Sequence, residues 1–195
     1  MAITSVELIS FTAINQNRDG ILIQWQTGRE IDNAGFYVLR SRSENGNYEK
    51  INKSIIQPAL SHKYELRDRS VRSGERYYYK LKDVSVSGNL NQHGPVAVTA
   101  ALPTAIVLHQ NYPNPFNPTT SIAFDLPKTQ YVRLEIFNLA GQRVQTLIDD
   151  DQPAGFHSVV WNGTDDAGNL MPSAIYYYRL QVGDFARVKK LMLLK

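Results

Sequence analysis

The stretch Tyr77-Tyr78-Tyr79-Lys80-Leu81 returns almost unchanged as Tyr176-Tyr177-Tyr178-Arg179-Leu180, ninety-nine positions later in the chain. Successive side chains of a β-strand point to opposite faces, so each copy places its first tyrosine, its third tyrosine and its leucine on one face. The second tyrosine and the basic residue lie on the other face. This pattern predicts a strand with aromatic bulk in a core and a cation in solvent. We therefore expect both halves of the chain to use the same strand in similar sandwiches.

Short strand-like segments separated by turn signals fill both halves of the chain, which is typical of β-sandwiches. Trp25 shares one face of such a segment with Ile21 and Ile23, which predicts a core position for its indole. No stretch has the periodicity of an amphipathic helix of ordinary length. The fold class is therefore predicted to be all-β. The predicted strands are 6–14, 21–26, 36–41, 48–51, 63–67, 76–84, 96–101, 121–125, 132–138, 144–148, 155–161, 175–182 and 186–194.

The chain has 195 residues, enough for two domains of about 100 residues each. Pro103 ends a strand-like segment and is followed by two small residues, which predicts a short linker with little freedom. We therefore predict two tandem β-sandwiches, a first domain at 1–102 and a second at 103–195. No secretory leader precedes the first strand pattern, so we expect a fragment of a larger protein if the protein is secreted.

Composition excludes several classes of function. The chain has no cysteine, which excludes disulfides, zinc–thiolate sites and thiol nucleophiles. Its net charge of +3 is too small and dispersed for a nucleic-acid partner. No apolar run approaches the roughly 20 residues that span a bilayer, so no transmembrane segment is predicted.

No catalytic or cofactor-binding constellation is recognisable, so we expect neither an enzyme nor a cofactor. The four histidines, at 62, 93, 109 and 157, lack the spacing of metal ligands. Two acidic clusters, 149–151 and 165–169, are interpreted as a solvated loop and a solvated turn, since calcium needs six to eight oxygens. Tyr78, Tyr177 and Trp161 are expected to point outward. A sugar-stacking platform is one interpretation of them, and packing in a core or between domains is the other.

Three prolines, Pro113, Pro115 and Pro118, fall within six residues of the second half. Proline lacks an N–H and fixes φ, which excludes a helix or a central strand here. Each proline also pushes the preceding residue towards extended geometry. The sequence therefore predicts a stiff loop over 112–118 that leads into the strand near Thr120.

Residues from about 106 to 195 resemble the type A C-terminal sorting domain of the bacterial type IX secretion system. The matching segments are 108–118, 132–144, 155–157, 161–165, 173–176 and 189–195. The resemblance implies a folded export signal, an outer-membrane secretion machinery as partner and often a surface sortase. The family usually has glycine where Ala174 stands, which calls the local turn geometry into question. The motif positions fall on Pro113, Asn114, Pro115, Gly155, Ser173, Tyr176, Lys189, Lys190 and Lys195.

The first half resembles a fibronectin type III-like module in the segments 23–27 and 30–41. Together the two resemblances imply tandem immunoglobulin-like or fibronectin type III-like β-sandwiches at the end of a secreted or cell-surface protein, with upstream cargo domains and the first sandwich as a spacer. The cations of the last strand then form a recognition strip, although lysines also protect an edge strand from unwanted pairing. Alternative functions are an adhesion or carbohydrate-binding module and a structural domain like that of flagellar hook-capping proteins.

Overall fold

The computed structural model describes residues 5–194, more than half of them in antiparallel strands. Internal contacts divide the chain into two compact units, Met1–Ala101 and Leu102–Lys195. No helix in the part of the chain that the structure describes is long and apolar enough to cross a membrane. The fold is all-β, as the alternation predicted.

The first unit consists of two antiparallel sheets, of strand order β1-β2-β5 and β4-β3-β6-β7, with a single turn of 3₁₀ helix at Asn17–Asp19. Its core is aromatic: the Trp25 ring stacks on Tyr64 with centroids 5.2 Å apart and meets the edge of Phe36 at 5.6 Å. The prediction that Trp25 lies in the core is confirmed. The strands are β1 (Ser5–Asn15), β2 (Ile21–Ile31), β3 (Asn33–Ser41), β4 (Glu49–Lys50), β5 (Lys63–Asp68), β6 (Arg76–Ser85) and β7 (Leu90–Thr99).

The second unit also has two antiparallel sheets, of order β12-β9-β8 and β11-β10-β13-β14. Strand β14 is therefore an edge strand, and its neighbour β13 carries the second tyrosine pentapeptide. The strands are β8 (Val107–Leu108), β9 (Thr120–Leu126), β10 (Gln130–Phe137), β11 (Arg143–Gln152), β12 (Gly155–Trp161), β13 (Ala174–Val182) and β14 (Phe185–Leu193).

Both copies of the pentapeptide have the predicted faces. Tyr77, Tyr79 and Leu81 are buried in β6, and the corresponding residues of β13 are buried as well. The hydroxyl of Tyr77 accepts a hydrogen bond from the backbone N–H of Arg72 at 2.9 Å, which is the contact of a tyrosine corner. In β13 the hydroxyl of Tyr176 donates to the carbonyl of Pro172 at 2.8 Å. Each unit thus fastens the start of this strand to the chain just before it.

Several strands extend further than predicted, among them β2, which continues to Ile31, and also β7 and β11. Strand β7 begins at Leu90, before the predicted 96, because Asp83 accepts hydrogen bonds from Asn91 at 3.0 Å and binds His93 at 2.6 Å. The aspartates at 149–151 are not in a loop as predicted but in β11, paired with β10. Their polar side chains are compatible with a strand there because β11 is at a sheet edge and Asp149 binds Arg133 at 2.8 Å.

For one of the three aromatic residues expected to point outward, the direction was wrong and the interpretation as core packing is confirmed. Trp161 was expected to point outward, but it is fully buried in the core of the second unit. It ends β12, and its indole N–H donates to the carbonyl of Thr164 at 2.9 Å. The indole is thus satisfied inside the sandwich, so it contributes to packing and not to a sugar-stacking surface.

Candidate functional site

A loop at 109–118, here called the proline loop, connects β8 to β9 and contains Pro113 and Pro115 of the predicted motif. Buried Asn111 organises it from within. The Asn111 side-chain amide donates to the carbonyl of Pro113 at 3.0 Å and to the Thr120 hydroxyl at 2.9 Å. The Thr120 hydroxyl in turn donates to the same carbonyl at 2.8 Å. The peptide bonds before Pro113, Pro115 and Pro118 are cis.

Tyr178 anchors this loop to the core. Its hydroxyl donates to the carbonyl of His109 at 2.8 Å and accepts from the backbone N–H of Asn111 at 2.9 Å. Burial raises the pKa of Tyr178 to about 12, so the hydroxyl keeps its proton and both bonds over the physiological range. The central tyrosine of the second pentapeptide therefore holds the entry to the proline loop.

The proline loop also lies along the outer edge of β14. Phe116 pairs with the end of β14 like a short parallel strand: its N–H donates to the carbonyl of Met192, and its carbonyl accepts from the N–H of Leu194, both at 3.0 Å. The side-chain carbonyl of Asn114 accepts from the N–H of Met192 at 3.0 Å. Gln110 donates to the carbonyl of Lys190 at 2.8 Å. The structure thus joins the first and last motif segments of the predicted site.

A row of aromatic rings links a third motif segment to the proline loop. Phe116 is buried against Trp161, with ring centroids 5.4 Å apart, and Trp161 meets Tyr176 at 5.2 Å. Ser173, three residues before Tyr176, is exposed. The glycine-to-alanine departure at Ala174 causes no strain, because Ala174 begins β13 without a positive φ and packs against the core.

Gly155 lies apart from these segments, at the start of β12 in the other sheet, where it pairs with Leu126. Its φ of 149° belongs to a region that residues with a Cβ rarely adopt. This explains why glycine stands there. The role of Gly155 is therefore in the backbone of the sandwich and not at the surface that the proline loop forms with β14.

The terminal strand, whose cations were expected to form a recognition strip, is only partly exposed. From Lys190 to Leu194 its outer edge is covered by the proline loop, whereas Ala186 to Lys189 lie beyond that cover. The side chain of Lys190 is exposed and that of Lys189 is half-buried. Lys195, the last motif residue, lies outside the described residues.

In the two acidic clusters, 149–151 and 165–169, Asp149 and Asp165 have hydrogen-bond partners nearby in the structure. Asp165 accepts from the N–H groups of Ala167 and Asn169 at 3.0 and 2.8 Å and from the Asn169 amide at 3.0 Å. The bonds from the Asn169 side chain and backbone hold the pKa of Asp165 below its usual value. Within residues 5–194, no group of three His, Asp or Glu side chains is arranged to hold a metal ion.

Three of the four histidines each contact one carboxylate. His109 binds Asp125 at 2.7 Å, His93 binds Asp83 at 2.6 Å and His62 lies 3.3 Å from Glu30. The fourth, His157, contacts the carbonyl of Pro153 at 2.8 Å and stacks on Phe124. Each is thus part of a local contact between neighbouring segments.

Sequence reasoning missed the residues that hold this surface together. Asn111, Thr120 and the backbone role of Tyr178 gave no separate signal, although Tyr178 was correctly placed in the core. A buried asparagine directly before a proline cluster is the one available hint, since a buried amide needs several hydrogen-bond partners. Its partners lie up to 67 residues away, beyond any local pattern.

Comparison with known proteins supports the immunoglobulin-like nature of the second unit. The model of the FlgD Ig-like domain family matches residues 111–184. No curated protein matches.

Solved structures with low identity align along nearly the whole chain. Dimeric latent PorU from Porphyromonas gingivalis is 13% identical, with 98% of this chain and 20% of that chain covered and a TM-score of 0.38. The FN1–FN3 domains of chicken CNTN1 are 14% identical, with 98% and 68% covered and a TM-score of 0.38. The α-L-rhamnosidase from Dictyoglumus thermophilum is 11% identical, with 96% and 29% covered and a TM-score of 0.39. This chain thus spans about a fifth of the PorU chain. Tandem β-sandwiches, with an immunoglobulin-like domain in the second unit, are the architecture that the chain adopts.

Proposed function

We propose that this chain is the C-terminal, non-catalytic part of a larger secreted or cell-surface bacterial protein. The second unit acts as a type IX secretion signal, and the first unit is a spacer that separates it from upstream cargo. The partners are the outer-membrane secretion machinery and a surface sortase, and no cofactor takes part. The protein reaches its final location after passage through the periplasm.

One observation supports this proposal above the others. Asn114 and Met192 belong to the first and last segments that carry the resemblance and are 78 positions apart, yet the Asn114 side chain accepts a hydrogen bond from the N–H of Met192. The proline loop and β14 therefore form a single rigid surface. Pro113, Asn114 and Pro115 are exposed on it, as is Lys190. A folded tag of this kind presents its recognition groups in fixed positions, which lowers the entropic cost of binding.

The test is export of a reporter fused ahead of the complete chain, in a bacterium that has type IX machinery. The fusion is expected in the medium or on the cell surface, and deletion of 189–195 is expected to retain it in the periplasm. The double variant Lys189→Ala/Lys190→Ala is expected to lower export, because the exposed cation is lost while the strand remains.

Lys128→Ala is the matched control, since Lys128 is an exposed lysine in the turn between β9 and β10. Its export is expected to equal that of the unchanged chain. Undiminished export after deletion of 189–195 contradicts the proposal, and so does retention of the unchanged fusion.

A second candidate rests on the match of 111–184 to the FlgD Ig-like domain. In this alternative the second unit is a structural domain of an extracellular assembly, and it carries no export information. It predicts retention of the fusion together with self-association of the purified chain, which sedimentation measures directly. The three aromatic residues considered for sugar binding do not form an exposed stacking surface, because Trp161 is buried and Tyr78 and Tyr177 are each half-buried.

A further inference from the structure

One side of the second sandwich has an open seam between the edge strands of its two sheets. Strand β14 ends one sheet and the short β8 ends the other. The proline loop closes the seam at the C-terminal end of β14. Beyond it, a groove of about 310 Å³ remains between the two edges. The groove is lined by Ile106, Val107, Leu108, Phe185, Arg187, Val188 and Lys189.

The backbone in this groove is oriented for strand pairing. The outer-edge groups used by the proline loop belong to Lys190, Met192 and Leu194, so the even-numbered residues of β14 point their N–H and C=O away from β13. The regular β13–β14 register continues this alternation to Val188 and Ala186. No described residue hydrogen-bonds these outward groups of Val188 and Ala186. An edge of this kind is a template for another strand.

The proline loop itself demonstrates how the edge is used. Phe116 adds to β14 with two main-chain hydrogen bonds of 3.0 Å, the number that one residue of an added strand makes on one side. The same edge continues without cover for the length of Ala186 to Lys189. An extended segment from a partner therefore has room to continue the pairing that the chain begins.

The positive charge of the groove favours an acidic binding partner. Arg187 and Lys189 contribute two cations, and no carboxylate is among the lining residues. Neither cation has a carboxylate within salt-bridge distance among residues 5–194; Arg187 instead lies over the Phe185 ring at 5.4 Å. The remaining lining is apolar, with Val188 57% exposed. Acidic and apolar side chains in alternation complement such a surface.

We propose that an extended, acidic-apolar segment of a partner protein docks on the second unit by adding a strand to β14 at Ala186–Lys189. As a description of how the secretion machinery recognises the tag, this rests on the function proposed above. As a binding site it stands alone, because it needs only the edge, the groove and the two cations.

The probe is a blocked eight-residue peptide that alternates glutamate and valine, with a lysine–valine peptide of equal length as its counterpart. Binding to the complete chain is followed by calorimetry, and amide exchange is measured by NMR. The glutamate peptide is expected to bind and to slow exchange of the Val188 N–H. The lysine peptide is expected to bind at least about tenfold more weakly.

Val188→Pro is the decisive variant, because proline removes an outward N–H and is tolerated on an edge strand. It is expected to weaken binding at least about tenfold, whereas Val188→Thr, which keeps the N–H, is expected to bind like the unchanged chain. Unfolding followed by Trp161 fluorescence in a Trp25→Phe background verifies that the second unit of both variants is folded. Arg187→Glu/Lys189→Glu is expected to reverse the peptide preference.

Equal binding of both peptides, or unchanged binding by a folded Val188→Pro, overturns the proposal. Dimerisation of the unchanged chain that Val188→Pro abolishes also overturns it, because the occupant is then a second copy. Export of the Val188→Pro fusion at full level, with peptide binding lost, refutes strand addition as the recognition mode while the export function stands. Peptide binding without any export refutes the export function while the site stands.

Discussion

The two tyrosine pentapeptides occupy the same kind of strand, but their central tyrosines form hydrogen bonds with different kinds of groups. In the first unit the hydroxyl of Tyr79 donates to a carboxylate of Asp68 at 2.9 Å, and Arg40 donates to the same carboxylate oxygen at 2.8 Å. In the second unit the hydroxyl of Tyr178 bonds only backbone groups, at the entry to the proline loop. The first anchor is ionic and internal to the sandwich, and the second is neutral and holds the candidate site.

This difference shows how a repeated strand acquires separate duties. The inward tyrosine fills the same volume in each core, and its hydroxyl can form hydrogen bonds with a different neighbouring segment in each unit. In the first unit that segment is the end of β5, which includes Asp68. In the second unit it is the loop that bears the motif. The anchors are therefore the place to test whether the two units behave independently.

The largest effect is expected for Asp68→Ala in the first unit. It leaves Arg40 and the Tyr79 hydroxyl without their shared partner, at a cost of about 3–5 kcal/mol in the free energy of unfolding. Urea unfolding measured through Trp25 fluorescence, in a Trp161→Phe background, reports this unit alone. A loss below about 1 kcal/mol contradicts the ionic anchor.

Tyr178→Phe is expected to destabilise the second unit by about 1–3 kcal/mol, because the buried N–H of Asn111 and the carbonyl of His109 lose their partner. Trp161 fluorescence in a Trp25→Phe background measures the loss, and amide exchange at Asn111 is expected to accelerate. Tyr177→Phe is the matched control, since the Tyr177 hydroxyl makes no hydrogen bond to a described residue. If both variants unfold alike, the proline loop is not anchored as described.

Acid is expected to weaken the first unit more than the second. Burial raises the pKa of Asp68, but hydrogen bonds from Ser70, Tyr79 and Arg40 outweigh it and hold the pKa below its usual value. The pKa of Glu30 is lowered against burial in the same way, by Thr27, Tyr64, Asn33 and His62. A carboxyl group whose pKa is lower in the folded state than in the unfolded state stabilises the folded state at pH values above the unfolded pKa. This stabilisation is lost as the pH falls below about 4.

The corresponding measurement is urea unfolding of each unit at neutral pH and at about pH 3. The acid shift of the first unit is expected to be smaller than that of Asp68→Ala, because a protonated carboxyl still accepts hydrogen bonds. In the second unit the groups with lowered pKa, such as Asp149 and Asp165, are at the surface. Equal acid sensitivity of the two units contradicts the comparison.

The smallest effect is expected on the outer face of the first pentapeptide. Lys80 lies over the Tyr48 ring at 4.2 Å in a half-exposed cation–π contact, so Lys80→Ala is expected to cost about 0.5–1 kcal/mol in the free energy of unfolding. Its counterpart Arg179 donates to buried Glu135 at 2.7 Å. Arg179→Ala is therefore expected to cost more, and thermal unfolding of the two variants ranks them. If Lys80→Ala is the more destabilising of the two variants, burial does not distinguish the outer faces of the two pentapeptides.

The sequence alone predicted the all-β class, the inward faces and most of the strands, although not β8, because side-chain alternation is a local property of a pleated chain. It also predicted a stiff loop at 112–118, since proline restricts φ wherever it stands. It failed at Trp161 and at the aspartates of β11. Whether an aromatic residue at a strand end is buried, and how far an edge strand extends, depends on the neighbouring elements of the sandwich.

Only the tertiary structure decided that the proline loop lies along β14, that Asn111 and Tyr178 hold it there, and that the cover stops before Ala186. These contacts join residues that are far apart in the chain, and each depends on how two sheets and a loop pack together. A local pattern records which face a residue prefers. It does not record which distant edge its backbone meets, because every strand offers the same N–H and C=O groups.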